Sequence, residues 1–193
     1  NKFIEAKIHF DMILSKQHNI IVLSPPKTGT RYRMIRFKDV NDMRLRPGNM
    51  HCQIKDLDLI CSDNDLDKQK LHKVACVRNP WRRYASLFHM IRYKNAHINN
   101  PKQDFLKWIN SEHFNRRAFS LDRFLFDDDG SLSVDEVIPV DEWNKHIDKL
   151  KLLLGDNSES IHDYQTSYSY ENTYKQWYNQ QAIDRVSEKD AKT

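Results

Sequence analysis

A run of chemically capable side chains follows a continuous apolar segment of the chain, Ile20–Leu23. The run, SPPKTGTR at residues 24–31, carries two positive charges, two threonine hydroxyls and one glycine. A loop between a buried strand and a helix aims backbone N–H groups and the positive end of the helix at one spot, which favours a phosphate. Glycine lets the backbone approach such a ligand closely. The residues that we expect to bind a phosphate here are Lys27, Thr28, Gly29, Thr30 and Arg31.

The spacing of this run separates it from the loop that binds nucleoside triphosphates in kinases and ATPases. That loop, GxxxxGK[ST], needs glycines ahead of its lysine. Here Lys27 precedes Gly29, and no glycine lies earlier in the chain. A Mg²⁺-dependent phosphotransferase is therefore disfavoured. For this segment taken alone, an ordinary strand–helix turn with an exposed lysine stays open.

A second candidate phosphate site lies in VACVRNPWRRYASLF, residues 74–88. Arg78 follows a buried-strand pattern, and ligands collect at the carboxyl ends of strands in open α/β sheets. Ser86 lies two turns into the following helix, on the side opposite its apolar stripe. A guanidinium fork and a hydroxyl together suit a phosphate. The alternative is that Arg78 pairs with a carboxylate and Ser86 is solvated.

The same segment carries two further arginines whose roles are less clear from the sequence. We expect Arg82 to be solvated at the surface and Arg83 to lie nearer the ligand. Six basic residues between positions 31 and 46 could face an acidic acceptor, although charge runs are more often solvated. They are Arg31, Arg33, Arg36, Lys38, Arg44 and Arg46.

Together the two segments resemble the motifs of sulfotransferases that use 3′-phosphoadenosine-5′-phosphosulfate (PAPS). The order Lys-Thr-Gly-Thr after proline resembles the family's 5′-phosphosulfate loop. A strand, then Arg78, then a serine eight positions later resembles its 3′-phosphate motif. The form RNPxxRxxS is similar to the carbohydrate-type group, which includes bacterial members. The resemblance covers most of residues 19–189, strongly at the two motifs and loosely elsewhere.

The resemblance implies transfer of a sulfuryl group from PAPS to a hydroxyl acceptor, a small molecule or a carbohydrate, leaving the nucleotide PAP. It requires no metal. Lys27, helped by the loop and Thr30, would stabilise the oxygen that leaves with the 5′-phosphate, and Arg78 and Ser86 would recognise the 3′-phosphate. His51 opens HCQIKDLDLI, where members of the group often carry a histidine before a helix.

The base that takes the proton of the acceptor hydroxyl is predicted to be His51, because imidazole accepts a proton near neutral pH. His89, on the same helix as Ser86, is a rival for this role. Asp39 and Asp42 are further rivals, since some members of the wider family use a carboxylate soon after the first loop. A surface or helix-capping role for His51 also stays open.

The elements that must position these residues alternate between strands and helices, which is typical of an α/β fold with a parallel sheet. We predict strands at 20–23, 73–77 and 137–140, and helices at 31–38, 80–93, 103–110, 116–126, 141–154 and 170–189. We therefore expect one domain over residues 1–193, with a central parallel β-sheet flanked by helices. The resemblance implies the P-loop-like sulfotransferase fold.

The composition and net charge of the chain limit the kinds of partner that we expect. A net charge of +4 suits an anionic ligand and is too mild to imply nucleic acid. No stretch approaches the roughly 20 apolar residues that span a bilayer. The nine histidines and three cysteines have no metal-ligand spacing, and the cysteine usage favours a reducing cytoplasm. Cys76 is expected to be buried.

Two alternatives to an active sulfotransferase remain at this stage. The first is a catalytically silent nucleotide-binding module of the same fold, which the short span between Arg31 and His51 keeps open. The second is a phosphotransferase on a related scaffold. The sequence does not identify the acceptor or the oligomeric state.

Overall fold

The computed structural model describes residues 12–41, 51–93, 100–117, 119–157 and 174–191. Its strands are β1 Met12–Ser15, β2 Ile20–Leu23, β3 His72–Val77 and β4 Glu136–Pro139. Its α-helices are α1 Thr30–Arg36, α2 Leu57–Asn64, α3 Pro80–Tyr93, α4 Pro101–Ile109, α5 Glu112–Arg117, α6 Asp122–Leu125, α7 Trp143–Leu153 and α8 Gln180–Lys189. Short 3-10 turns at 38–40, 54–56, 140–142 and 174–177 connect them.

The four strands form one sheet in the order β1-β2-β3-β4, and the sheet is mixed. Strands β2, β3 and β4 are parallel, as predicted, whereas β1 pairs antiparallel with β2. The predicted central parallel sheet is therefore only part of the sheet, since β1, which was not predicted, adds an antiparallel edge. The physical reason is the connection: residues 16–19 form a tight turn, with Asn19 at φ 58°, and parallel strands need a crossover of about a dozen residues or more.

Both faces of the sheet are covered, which explains why its strands are continuously apolar. Ile21, Leu23 and Ala75 pack with residues of α2 and α6 on one face. Val22 and Cys76 pack with residues of α7 on the other face. The three cysteines are free and buried, and Cys76 is 0% exposed as expected.

A second apolar cluster joins α3, α4, α5 and α8 beside the sheet. Phe88 of α3 lies at its centre, with its ring centroid 5.4 Å from Phe105 and 5.6 Å from Trp108. Offset and edge-to-face aromatic pairs of this kind add to the burial of the rings themselves. The cluster holds α3 rigidly, and α3 carries several of the candidate site residues.

The start of α3 and the end of α7 follow their sequence signals. The Arg82 amide donates to Asn79 Oδ1 at 3.2 Å, so Asn79 caps α3 as predicted. Gly155 ends α7 at φ +66°, and a Cβ there would collide with the His18 ring. The left-handed backbone favours glycine here, and a larger residue would also have to displace the His18 ring.

Three predicted helices differ from the structure. The predicted helix 116–126 is two helices, α5 and α6, because the chain breaks around residues 119–121. The predicted helix 141–154 starts as a 3-10 turn, and its α-helical part begins at Trp143. Within 170–189 the described part begins at 174, where Asn179 caps α8 by accepting from the Ala182 amide at 2.9 Å.

None of the helices in the described part of the chain is both long and apolar enough to traverse a lipid bilayer.

Candidate functional site

Three chain segments meet at the carboxyl edge of the parallel strands. Lys27 lies in the loop after β2, Arg78 follows β3, and Asp141 follows β4. The register places them side by side, since Leu23 pairs with Ala75 and Val77 pairs with Pro139. Ligands of open α/β sheets bind at this edge.

The two predicted phosphate sites are in direct contact. Arg78 Nη1 donates to the Lys27 carbonyl oxygen at 3.3 Å, across 51 positions of sequence. Arg78 is only 7% exposed, so this guanidinium belongs to the packed edge of the sheet rather than to the surface. The structure therefore brings together two segments that the sequence analysis paired only by their chemistry.

The loop after β2 has an unusual backbone. Lys27 has φ 69° and Gly29 has φ 76°, both in the left-handed region. Glycine adopts this conformation readily, but for lysine it costs free energy, and such strain clusters at ligand-binding sites. The Gly29 carbonyl accepts from the amides of Tyr32 and Arg33, so the loop leads straight into α1.

Arg33 braces this loop from inside the protein. It is 1% exposed, and its Nη2 donates to Ser24 Oγ at 2.9 Å and to Thr28 Oγ1 at 3.1 Å, while Nη1 donates to the Thr28 carbonyl. Its guanidinium also lies 5.7 Å from the centroid of the Trp143 ring. A buried guanidinium with this many partners fixes the loop against the sheet.

This role was not predicted from the sequence, where Arg33 and Arg36 belong to a basic run expected to face solvent or an acceptor. Arg36 is also turned inward, pairing with Asp156 at 2.7 Å with both side chains close to one-tenth exposed. The seven-residue helix α1 is too short for a periodic pattern to mark two buried arginines. Arg44 and Arg46 lie outside the described residues.

The remaining residues of the loop differ in their hydrogen-bond partners. The Thr28 hydroxyl donates to the Pro25 carbonyl at 2.7 Å and accepts from Arg33, so it is used to hold the loop together. Thr30 Oγ1 is buried and has no hydrogen-bond partner among the residues that the structure describes. The backbone of Arg31 lies in α1, but its side chain is outside the described part.

Asp141 is a charged residue at this edge that was not among the candidate site residues predicted from the sequence. Its Oδ1 accepts from Arg82 Nη1 at 2.8 Å and from Arg78 Nε at 3.3 Å. Its Oδ2 accepts a hydrogen bond from the backbone N–H of Asn79 at 2.9 Å. The carboxylate thus joins the end of β4 to the start of α3, and Arg78 has the acidic partner that the sequence analysis held open as an alternative.

The two neighbouring arginines have different surroundings. Arg82 pairs with Asp141, whereas Arg83 is 0% exposed and pairs with Asp190 of the α8 terminus at 3.1 Å. Ser86, two turns along α3, is 4% exposed and lies in the tightly packed part of that helix.

A cavity of about 400 Å³ opens between the loop, the start of α3 and the start of α7. It is large enough for a ligand of nucleoside size. Its wall combines charged groups with the indole of Trp143, which is 7% exposed. The residues that line it are Gly29, Arg78, Arg82, Val140, Asp141, Glu142, Trp143, Asn144 and Lys145.

Two of the candidate bases lie beside the same loop. His51 Nδ1 is 3.3 Å from the Ser24 carbonyl oxygen. Burial, and next the positive charge of Lys27, lower the pKa of His89. Asp39 is exposed in the 3-10 turn after α1, and Asp42 lies outside the described residues.

The described residues contain no group of three His, Cys, Asp or Glu side chains arranged to hold a metal ion. No protein-family model, no curated protein and no solved structure matches the chain.

Proposed function

We propose that the protein is a sulfotransferase that moves a sulfuryl group from PAPS to the hydroxyl of a small molecule or carbohydrate. The observation that carries this proposal is the contact between Arg78 and the Lys27 carbonyl at 3.3 Å. PAPS bears a phosphosulfate on one side of its ribose and a phosphate on the other. A loop for the first and an arginine for the second must therefore be neighbours, as these two segments are.

The residues of the loop fit a phosphosulfate. Thr30 has a buried hydroxyl with no partner among the described residues, and a buried polar atom of this kind costs free energy unless a ligand satisfies it. Arg33 fixes the loop through Ser24 and Thr28, and the Lys27 side chain is half-buried. The bracing by Arg33 provides the rigidity that electrostatic catalysis requires.

The chemistry proposed for this edge is an in-line displacement at sulfur. The acceptor oxygen forms the new bond to sulfur, and the bond from sulfur to the 5′-phosphate oxygen breaks with its electron pair staying on that oxygen. Lys27 stabilises the charge that develops there. The three free, buried cysteines support a reducing compartment such as the cytoplasm for this reaction.

His51 is the proposed base, and its hydrogen bond supports the choice. The Ser24 carbonyl can only accept, so a neutral His51 carries its proton on Nδ1 and its lone pair on Nε2. The backbone thereby selects the tautomer in which Nε2 can take the proton of the acceptor hydroxyl. His89 is the rival, and the positive charge of Lys27 contributes to its lowered pKa.

Replacing each histidine by alanine separates these two assignments. His51→Ala is expected to lower kcat by about 10²- to 10⁴-fold, the usual contribution of a general base, with PAP affinity unchanged. His89→Ala is expected to lower kcat by less than about tenfold. The measurement is transfer of radiolabelled sulfuryl from PAPS to a panel of sugars and phenols.

The pH dependence of kcat adds a second readout for the same pair. Activity that needs a deprotonated histidine falls as pH drops through the pKa of that residue. Because the pKa of His89 is lowered, a His89-dependent reaction would keep its activity to more acidic pH than is usual for histidine. A large loss of kcat in His89→Ala alone would transfer the role to His89.

Calorimetric titration tests the nucleotide assignment directly. Wild-type protein is expected to bind PAP more tightly than its 3′-dephospho analogue by about tenfold or more, the value of a charge-assisted hydrogen bond. Arg78→Ala should remove most of that preference, because the preference depends on the guanidinium. ATP with Mg²⁺ should bind weakly, since it lacks the 3′-phosphate.

A matched control is Lys107→Ala, which removes one positive charge from the exposed face of α4. It should leave the PAP preference unchanged. A wild-type protein that does not distinguish PAP from its 3′-dephospho analogue would contradict the proposed function.

A further inference from the structure

We propose that the Asp141 carboxylate competes with the phosphate of the ligand for one anion-binding site. This site, the anion cradle, is formed by the side chains of Arg78 and Arg82 and the backbone N–H of Asn79. The identity of the ligand as PAPS rests on the proposed function. The anion cradle and the competition for it are inferred from the geometry of these four residues.

The three donors converge on one carboxylate as they would on a phosphate. Arg82 Nη1 and Arg78 Nε share Oδ1, at 2.8 and 3.3 Å, and the Asn79 amide takes Oδ2 at 2.9 Å. Two guanidiniums and a backbone N–H at the start of a 14-residue helix are the donors that proteins use for phosphate oxygens. The site is therefore built for an anion, and Asp141 supplies one from the protein itself.

The charges in the cradle determine how much the competition affects the binding of a phosphate. Arg78 and Arg82 bring two positive charges, and Asp141 cancels one of them. The neighbouring Glu142 does not contribute to this balance, since it pairs with Lys145 at 2.9 Å. A dianionic phosphate therefore meets more of the positive charge of both arginines when the Asp141 carboxylate has left them.

Asp141 is placed so that it can leave. It lies in the 3-10 turn between β4 and α7, and its side chain is 24% exposed. When that side chain rotates toward water, the carboxylate regains hydration, and the incoming phosphate replaces it as the counter-charge of Arg78. Arg78, with a side chain 7% exposed, stays in the wall of the cavity and keeps its bond to the Lys27 carbonyl.

The substitution Asp141→Asn tests the competition, because asparagine keeps the size and an acceptor for the Asn79 amide but loses the charge. It is expected to raise the affinity for PAP and for inorganic sulfate by about tenfold, the worth of one charge-assisted contact. Glu142→Gln is the matched control: it removes a negative charge one position along in the same cavity wall. A gain of about threefold or less is expected there, from the general field alone.

In the double variant that combines Arg78→Ala with Asp141→Asn, the gain in affinity should disappear. That result would show that the gain depends on the anion cradle. Weaker binding of PAP and sulfate in Asp141→Asn would overturn the proposal, because Asp141 would then position the arginines rather than compete. Equal gains in Asp141→Asn and Glu142→Gln, or no gain in either, would overturn it as well.

The two ligands keep this proposal separable from the proposed function. A gain for sulfate without any preference for PAP over its 3′-dephospho analogue supports the competitor and contradicts the sulfotransferase. A preference for PAP with no gain in Asp141→Asn supports the sulfotransferase and contradicts the competitor.

Discussion

Replacing Lys27 by alanine is expected to lower kcat for sulfuryl transfer by about 10²- to 10³-fold or more, the cost of losing one preorganised group at a developing oxyanion. PAP should still bind, because Arg78 and the backbone of the loop remain. The change does not alter the backbone strain of the loop, since alanine meets the same cost as lysine at φ 69°. The loss of activity should therefore result from the loss of the Lys27 ammonium group.

Single-turnover transfer of radiolabelled sulfuryl, with enzyme in excess over PAPS, measures this effect without product release. Calorimetry with PAP measures binding in the same protein. Lys145→Ala is the comparison, since Lys145 lines the cavity but pairs with Glu142. Turnover that survives in Lys27→Ala would remove Lys27 from its role.

The same variant has a readout that does not depend on activity. The Lys27 charge is the second cause, after burial, of the lowered pKa of His89. In Lys27→Ala the pKa of His89 should rise toward its ordinary value while burial still holds it below. Titration of the ring by NMR measures the shift, and an unchanged pKa of His89 would show that the two side chains are not neighbours.

Replacing Asp190 by alanine is expected to lower the free energy of unfolding by about 3–5 kcal/mol, because it leaves a buried arginine without its counter-charge. Asp190 and Arg83 are each about 1% exposed in their side chains and lie 3.1 Å apart. Asp190 also accepts from the Leu121 amide at 2.9 Å, and Arg83 donates to the Phe119 carbonyl at 2.9 Å. The pair thus joins α3, α8 and the segment before α6.

Urea denaturation followed by far-ultraviolet circular dichroism measures this loss. The control is Asp184→Ala on the exposed side of α8, which should change the free energy of unfolding by less than about 0.5 kcal/mol. The double variant Arg83→Met with Asp190→Leu should recover most of the stability, because an apolar pair of similar volume carries no charge to bury. A loss in Asp190→Ala no larger than in Asp184→Ala would contradict the assignment.

The local elements of this protein could be predicted from the sequence because their signals are local. The apolar runs of β2 and β3 and the Asn79-Pro80 start of α3 each depend on residues within a few positions of one another. The loop around Lys27 and the arginine at the end of β3 could be paired by their chemistry alone. Parallel strands then place them at one edge.

Two features were not predicted from the sequence. Strand β1 has only four residues, too few to tell a strand from another short apolar segment, although its pairing with β2 is local. The predicted helix 116–126 divides where the chain turns to meet Asp190 through the Leu121 amide. There a long-range contact overrides the local preference.

The types and order of the candidate site residues, with Lys27 first and Arg78 and Ser86 after it, were determined by the sequence alone. Only the tertiary structure decided which charges face the cavity and which are buried. Arg33 turns inward to hold the loop, Arg83 pairs with Asp190, and Asp141 meets Arg78 and Arg82. The reason is physical: a charged group is buried only where hydrogen-bond acceptors or a counter-charge meet it, and which groups meet it is set by the register and packing of the sheet.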